Sequence, residues 1–148
     1  DRGAGTTYQW QVDQGFGFTD LGNLGVYSGV TTKSLLILLP PTSYYGSKYR
    51  CISVRGGNTV ISPVTTLKFS ITWTGAFDSN WEDPKNWDCS VYPNYHTPDA
   101  NTDVIISSGT LNDPVISNNL SCRSLTLKAG ATITIDSGYK LTITGKGN

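Results

Sequence analysis

The chain has little of the chemistry that catalysis and nucleic-acid binding require. It contains one histidine, one glutamate and no methionine, and only 15% of its 148 residues are charged. Lysine plus arginine equal aspartate plus glutamate at 11 each, so the basic surface that phosphate backbones need is missing and no nucleic-acid partner is expected. No stretch approaches the roughly 18 consecutive apolar residues of a spanning helix, so membrane insertion is not expected either.

The cysteine count is odd, at three, and no C-x-x-C pair with the spacing of zinc or redox sites occurs. In an oxidising compartment Cys89 and Cys122 could bridge within the second half of the chain. That disulfide would close a loop of about 33 residues and contribute roughly 3 kcal/mol. We therefore expect Cys89 and Cys122 to be bonded and Cys51 to be free or paired between chains.

Glycine, threonine, serine and asparagine are abundant, whereas the helix formers glutamate, lysine and alanine are scarce. Because β-branched residues favour a pleated surface and glycine favours turns, the composition predicts an all-β chain. Residues 1–70 hold six basic and three acidic residues, and residues 71–148 hold five and eight. This shift of about +3 to −3 indicates two modules with solvated faces.

Residues 1–70 show the alternation of half-buried strands. Tyr8, Trp10 and Val12 share one face of the first strand. A second strand covers residues 34–39, and a third begins at Tyr49, two residues before Cys51. A tryptophan on strand C and a tyrosine two residues before a strand-F cysteine are the pattern of an immunoglobulin-like sandwich. We interpret residues 1–70 as strands C, E, F and G of such a domain, lacking its first strands.

This region resembles the bacterial Ig-like repeats of large multidomain secreted or cell-surface proteins of Bacteroidetes. The matching segments are Tyr8-Gln9-Trp10-Gln11, Tyr27-Ser28-Gly29, Leu35-x-Ile37, Gly46 and Tyr49-Arg50-Cys51. The resemblance implies an extracellular spacer or adhesive module whose partners are other domains of the parent protein. The strand-B cysteine of the pattern is missing, from which we expect the chain to be an excised segment of a longer protein.

Leu36 and Leu38 depart from the pattern, because they alternate with inward-facing Leu35 and Ile37 and should point outward. Two leucines beside an unpaired strand edge form an apolar strip that favours a covering partner. We expect this strip to be an interface that packs either against the second module or against another copy of the chain, as a homodimer through the exposed edge.

Residues 71–148 begin with a tryptophan-rich loop region and continue as a Trp-rich β-repeat module. Three segments with an outward threonine recur every eight residues, namely Leu125-Thr126-Leu127, Ile133-Thr134-Ile135 and Leu141-Thr142-Ile143. This repeat fits either an antiparallel sandwich meander or successive faces of a β-helix coil. The module resembles the W-T-G, N-W, P-V-I and L-T-I segments of β-helical or sandwich repeats in the same class of surface proteins.

Aromatic rings in loops, where they can be exposed, would suit carbohydrate binding, because sugar rings stack on aromatic faces. The candidates are Trp81, Trp87, Tyr92 and Tyr95. The alternative for Trp87, and for Trp73, is a role in the core, since a large ring at a domain boundary buries much area.

Alternate oxygen-bearing side chains at Asp99, Asn101 and Asp103 form a candidate site for a structural calcium ion, although the glycine and terminal glutamate of an EF-hand loop are missing. The alternative is ordinary Asx-turn chemistry. No other cofactor is expected.

One group of residues could support catalysis. Glycoside hydrolysis needs two carboxyl groups that flank the glycosidic bond. Glu82 is accompanied by Asp78, Asp83 and Asp88, although the same residue types also form turns. The lone His96 lies in a loop before a proline. The sequence favours a non-enzymatic structural or adhesive module, with a glycoside hydrolase fragment using Glu82 and a nearby aspartate as the alternative.

Overall fold

The structure, a computed structural model, describes residues 5–88 and 97–145. The chain is all-β, as the composition predicts, with several sheets of a sandwich-like fold and two single-turn 3-10 segments, Thr42–Tyr44 and Pro84–Asn86. In the described ranges no helix is long and apolar enough to cross a membrane. Two compact units divide between Leu67 and Lys68, three residues before the boundary that the charge distribution suggests.

The first unit is antiparallel. Its strands are β1 (Thr7–Asp13), β2 (Thr19–Asp20), β3 (Tyr27–Ser28), β4 (Leu36–Ile37), β5 (Lys48–Arg55), β6 (Asn58–Ile61) and β7 (Thr65–Thr66). One sheet has the order β2-β1-β5-β6, with β7 also on β5, and β3 pairs with β4 in a second sheet. If β1, β5 and β6 are strands C, F and G, this order is the C′-C-F-G order of immunoglobulin-like sheets, and β3 with β4 takes the D-E position.

The core of the first unit follows from the register of β1 on β5. Trp10 lies opposite Cys51, and Val12 lies opposite Tyr49, so these alternate residues share the inward face. Val12, Tyr49, Leu21 and Val30 are buried there, whereas Trp10 is only half-buried against them. The inner face is therefore only partly covered.

The second unit consists mainly of parallel pairs. Its strands are β8 (Ser70–Trp73), β9 (Trp87–Asp88), β10 (Asp103–Ile106), β11 (Val115–Ile116), β12 (Leu120–Cys122), β13 (Ser124–Leu127), β14 (Thr134–Ile135) and β15 (Leu141–Ile143). β13 pairs with β10, β14 with β11 and β15 with β12, each time in parallel. β8 is parallel to β10, and among the strand pairs of the described residues in this unit only β9 on β8 is antiparallel.

These pairings decide between the two architectures that the eight-residue repeat allows. The repeating strands β13, β14 and β15 do not pair with one another. Each pairs instead with a strand 19 to 21 residues earlier in the sequence, as in Val104 with Leu125 and Ile116 with Ile135. They are therefore three successive faces of one coil, which stacks on the preceding coil formed by β10, β11 and β12. The antiparallel meander is excluded for these strands.

The core of the second unit lies inside the coils. Val104, Ile106, Ile116 and Cys122, which come from all three faces of one coil, have no exposed surface. Apolar residues two apart along each strand point inward, which is why the L-T-I pattern produces a continuous interior. Trp73, Trp81 and Trp87 belong to the same cluster.

Candidate functional site

The tryptophan-rich loop between β8 and β9 is a packed cluster of three rings. Trp87 lies between the other two, with its ring centroid 4.9 Å from that of Trp73 and 4.8 Å from that of Trp81. Both contacts are edge-to-face, at 81° and 79°, which is the arrangement that aromatic quadrupoles favour. All three rings are buried, so the cluster is a structural core.

Two of the three indole N–H groups have hydrogen-bond partners. Trp73 Nε1 donates to the carbonyl of Asn112 at 2.7 Å, and Trp87 Nε1 donates to the carbonyl of Trp81 at 2.8 Å. Trp81 Nε1 is buried and has no partner among the described residues. Leaving a buried donor unpaired costs free energy, so Trp81 is the least favourably placed ring of the cluster.

Asn86 is the polar centre of the loop and is fully buried. Its Oδ1 accepts hydrogen bonds from the backbone N–H groups of Phe77 and Asp78, both at 2.9 Å. Its Nδ2 donates to Asp78 Oδ1 at 2.6 Å and to the Asn80 carbonyl at 3.0 Å. The backbone carbonyl of Asn86 also accepts from Thr74. One side chain thus fixes the loop after β8, a role that the sequence reasoning missed although the N-W motif contains it.

Gly75, in the W-T-G motif, has a φ of +56°, a conformation that side-chain-bearing residues rarely adopt. A β-carbon at this position would collide with the carbonyl of Asn112 and lie 2.9 Å from Trp73 Nε1. The glycine therefore permits the close approach of the Asn112 carbonyl, which accepts the indole N–H of Trp73.

The sugar-stacking hypothesis for Trp81 and Trp87 is wrong. A sugar ring needs an exposed aromatic face, and both indoles are buried in the cluster, with about 1% and 5% of their surface exposed. The core alternative for Trp73 and Trp87 is confirmed. The other two candidates, Tyr92 and Tyr95, lie outside the described residues.

The acidic side chains of the loop are engaged in turns. Asp78 Oδ1 accepts from the backbone N–H of Asn80 at 2.8 Å in addition to its bond with Asn86. Asp83 accepts from the backbone N–H of Lys85 at 2.9 Å and caps the following 3-10 turn. Glu82 is exposed and accepts a hydrogen bond from Asn118, while Asp88 is exposed. His96 lies outside the described residues.

Two of the three proposed calcium ligands, Asp99 and Asp103, accept hydrogen bonds through their carboxylates. Asp99 Oδ1 accepts from the Asn101 backbone N–H at 2.9 Å and from Thr102 Oγ1 at 2.8 Å, which is the Asx-turn alternative. Asp103 Oδ1 accepts from Ser124 Oγ at 2.6 Å and lies 4.0 Å from Arg123 Nε. Among the described residues no group of three or more His, Cys, Asp or Glu side chains is placed to hold a metal ion.

The described cysteines are thiols in different surroundings. Cys51 is half-buried and free, and Cys122 is free and fully buried in the coil. Burial raises the pKa of Cys122 to about 11, with the charge of Asp103 as a smaller cause. Cys89 lies outside the described residues, and the structure gives no support to the predicted Cys89–Cys122 disulfide.

In the first unit, the apolar strip of Leu36 and Leu38 faces outward, as the alternation of the sequence predicts. Leu35 and Ile37 pack against the core, while Leu36 and Leu38 are exposed. That these two leucines form an interface stays a prediction.

Beneath the strip, Tyr27 Oη and Tyr49 Oη are hydrogen-bonded at 3.1 Å. Burial and this bond raise the pKa of Tyr27. The sequence analysis placed Tyr49 at the start of a strand, two residues before Cys51, but missed Tyr27 as its partner.

Comparison with known families identifies the second unit. No curated protein and no solved structure matches the chain. Residues 72–147 match the family described as a domain of unknown function (DUF8693). The match begins within β8 and covers just over half of the 148 residues, and the chain therefore belongs to this family.

Proposed function

We propose that this chain is a non-catalytic structural or adhesive module of a large extracellular surface protein, built from an incomplete Ig-like sandwich and a β-coil. The observation that carries the proposal is that the aromatic and acidic side chains of the tryptophan-rich loop between β8 and β9 hold the fold together. Its rings form a closed cluster, and the carboxyl groups of Asp78 and Asp83 hold turns. Residue types that would serve a sugar cleft are thereby engaged in holding the fold.

The strand order of the first unit supports the Ig-like part of the proposal. The β2-β1-β5-β6 order and the separate β3-β4 pair fit the C′-C-F-G and D-E assignments. Extracellular location and the association with other domains of the parent protein rest on the resemblance to Bacteroidetes surface proteins. Contact with glycans rests on Tyr92 and Tyr95, because the two tryptophan candidates are buried.

The glycan part is tested by binding of the chain to an array of surface and dietary polysaccharides. We expect Tyr92→Ala with Tyr95→Ala to abolish any binding that the unmodified chain shows. The matched control is Tyr139→Ala, which removes an exposed tyrosine of the second unit. Binding that survives the double substitution would exclude this site, and a complete lack of binding would restrict the module to a structural role.

The competing function, glycoside hydrolysis, is tested with a panel of chromogenic glycosides. We expect background rates for the unmodified chain, because Glu82 is hydrogen-bonded to Asn118 and the neighbouring Asp78 and Asp83 form turns. Hydrolysis that Glu82→Gln abolishes while folding is retained would overturn the proposed function.

A further inference from the structure

The outward face of the larger sheet in the first unit carries an ordered arginine. Gln11 lies opposite Arg50 in the ladder between β1 and β5, and opposite Asp20 in the ladder between β1 and β2. Since Trp10 and Val12 pack toward the core, these alternate positions face away from it. Arg50 is therefore accessible from outside the unit, where it is only half-buried.

The side chains around Arg50 hold its guanidinium group in one orientation. Arg50 Nε donates to Gln11 Oε1 at 2.7 Å, and Gln11 Nε2 donates in turn to Asp20 Oδ1 at 2.7 Å. The guanidinium carbon lies 4.0 Å from the centre of the Phe18 ring, which is a cation–π contact. Because the planar group is oriented before a ligand arrives, less conformational entropy is lost on binding.

This arrangement leaves most of the N–H donors of Arg50 unused. In the part of the chain that the structure describes, the bond from Nε to Gln11 is the one hydrogen bond of its side chain, and no carboxylate forms an ion pair with it. Lys48, the other cation on this face of β5, lies opposite Asp13. An oriented guanidinium with free Nη groups is complementary to a carboxylate, which accepts parallel N–H bonds from it.

A fully exposed aromatic ring, Phe16, lies two residues before Phe18 in the turn between β1 and β2. The turn is hydrogen-bonded on both sides of this ring, because Asp13 Oδ1 accepts from the backbone N–H groups of Gly15 at 2.8 Å and of Gly17 at 3.0 Å. Two residues of chain span at most about 7 Å. One ligand can therefore contact Phe16 and the guanidinium that stacks on Phe18.

These features favour an acidic sugar over an acidic peptide. The exposed ring of Phe16 is flanked by glycines and presents an open face, on which a sugar ring stacks, whereas an apolar peptide anchor needs a pocket. A peptide that adds as a strand needs a long free edge. Among the described residues the edge beside this site is β2, which has only two residues, Thr19–Asp20.

We propose that Arg50 and Phe16 form a binding site for a uronic acid unit of an acidic polysaccharide. The carboxylate of the sugar accepts hydrogen bonds from the Nη groups of Arg50, and the sugar ring stacks on Phe16. Gln11 and Phe18 position the guanidinium. This inference rests on the adhesive role proposed above, and it places a glycan contact on the first unit, apart from Tyr92 and Tyr95.

The experiment titrates the full chain with oligogalacturonate, oligomannuronate, fully methyl-esterified oligogalacturonate and oligoglutamate in a calorimeter. We expect a uronate oligomer to bind, and esterification to weaken the binding of oligogalacturonate by about tenfold or more, because it removes the carboxylate charge and keeps the sugar ring. Equal binding of the ester would overturn the role of the carboxylate. Binding of oligoglutamate as strong as that of the uronates would overturn the sugar in favour of an acidic peptide. No binding of either uronate would overturn the site and leave the structural role standing.

Arg50→Lys keeps the positive charge and removes the planar fork, so it should weaken uronate binding by about tenfold. Its matched control is Arg55→Lys, the same change at an exposed arginine at the end of the same strand, which should leave binding unchanged. Uronate binding that Arg50→Lys does not weaken would overturn the assignment of Arg50.

Phe16→Ala gives a second test that does not put folding at risk, because the ring is fully exposed. We expect about tenfold weaker uronate binding with unchanged circular dichroism. Leu24→Ala, at another exposed apolar residue of the unit, is the control and should have no effect. Tyr92→Ala with Tyr95→Ala should also leave this binding intact. If that double variant lost it while Phe16→Ala did not, the glycan contact would belong to the tyrosines and not to this site.

Discussion

The two units bury their apolar side chains in different ways. In the first, antiparallel strands cover only part of the inner face, and Trp10 and Leu35 remain half-buried. In the second, parallel coils enclose Val104, Ile106, Ile116 and Cys122 completely. Even a polar residue, Asn86, is fully buried there, because each of its polar groups has partners. Asn86 shows that a polar side chain is tolerated inside when its groups are paired, whereas the open sheet of the first unit leaves Trp10 and Leu35 partly exposed.

This contrast predicts that the units unfold separately, with the second the more stable.

The largest effect is expected from Trp87→Ala. Trp87 contacts both other rings and donates to the Trp81 carbonyl, so its loss leaves a large cavity. We expect the free energy of unfolding of the second unit to fall by about 3–5 kcal/mol. The measurement is urea unfolding followed by far-UV circular dichroism, with segment-resolved hydrogen exchange to assign the transition. Leu111→Ala, at an exposed position, should change it by less than about 0.5 kcal/mol.

If Trp87→Ala weakened both units equally, the separation of their stabilities would be disproved.

Asn86→Ala is expected to have the second-largest effect on the free energy of unfolding. The substitution leaves the part-buried backbone N–H groups of Phe77 and Asp78 without their acceptor, and an unpaired donor shielded from water costs about 1–3 kcal/mol. We expect a loss of about 2–4 kcal/mol in the second unit, measured by the same unfolding experiment. Asn118→Ala is the control, because its side-chain amide donates to the exposed Glu82 and to no other group among the described residues; it should cost less than about 1 kcal/mol. Equal losses for the two variants would contradict the role of Asn86.

Cys122 gives a pH-dependent test of the enclosed interior. Burial raises its pKa from the ordinary thiol value of 9.0 to about 11, so the folded unit retains a proton that the unfolded chain releases at lower pH. The resulting stabilisation is complete below pH 9.0 and is lost as pH rises toward about 11. We expect the urea midpoint of the second unit to fall over this range more steeply than in Cys122→Ala. Parallel pH profiles would show that Cys122 is not buried as a neutral thiol.

The strand pattern was predictable where neighbouring residues decide it. Alternation at Tyr8, Trp10 and Val12, and in the L-T-I repeats, correctly gave the strands and their inward faces. Whether the repeats pair with each other or with earlier coils was not predictable, because inward and outward alternation is the same in both architectures. The pairing depends on contacts some 20 residues apart that no local pattern encodes.

The candidate site was predictable only in part, for a related reason. Residue types at Trp81 and Asp99 suit both a ligand site and a fold; burial decides for Trp81, and hydrogen bonds to Asn101 and Thr102 decide for Asp99. The acidic turns were predictable from local Asx spacing. Asn86 was missed because its partners Phe77 and Asp78 meet it only after the chain has folded around the tryptophan cluster.

The smallest effect on stability is expected at the exposed face of the first unit, from Leu36→Thr with Leu38→Thr. Both side chains point away from the core, and threonine suits a strand, so the free energy of unfolding should change by less than about 0.5 kcal/mol each. Self-association is a different matter, because an apolar strip beside the open edge of β4 favours a covering partner. If the strip contributes an interface, the double variant should associate more weakly than the unmodified chain in sedimentation velocity, with unchanged circular dichroism. Lys33→Thr, at an exposed charged position nearby in sequence, is the control that changes the surface without removing apolar area. An unchanged association constant in the double variant would show that two outward leucines are tolerated in water, and that the incomplete inner layer of this unit does not drive assembly.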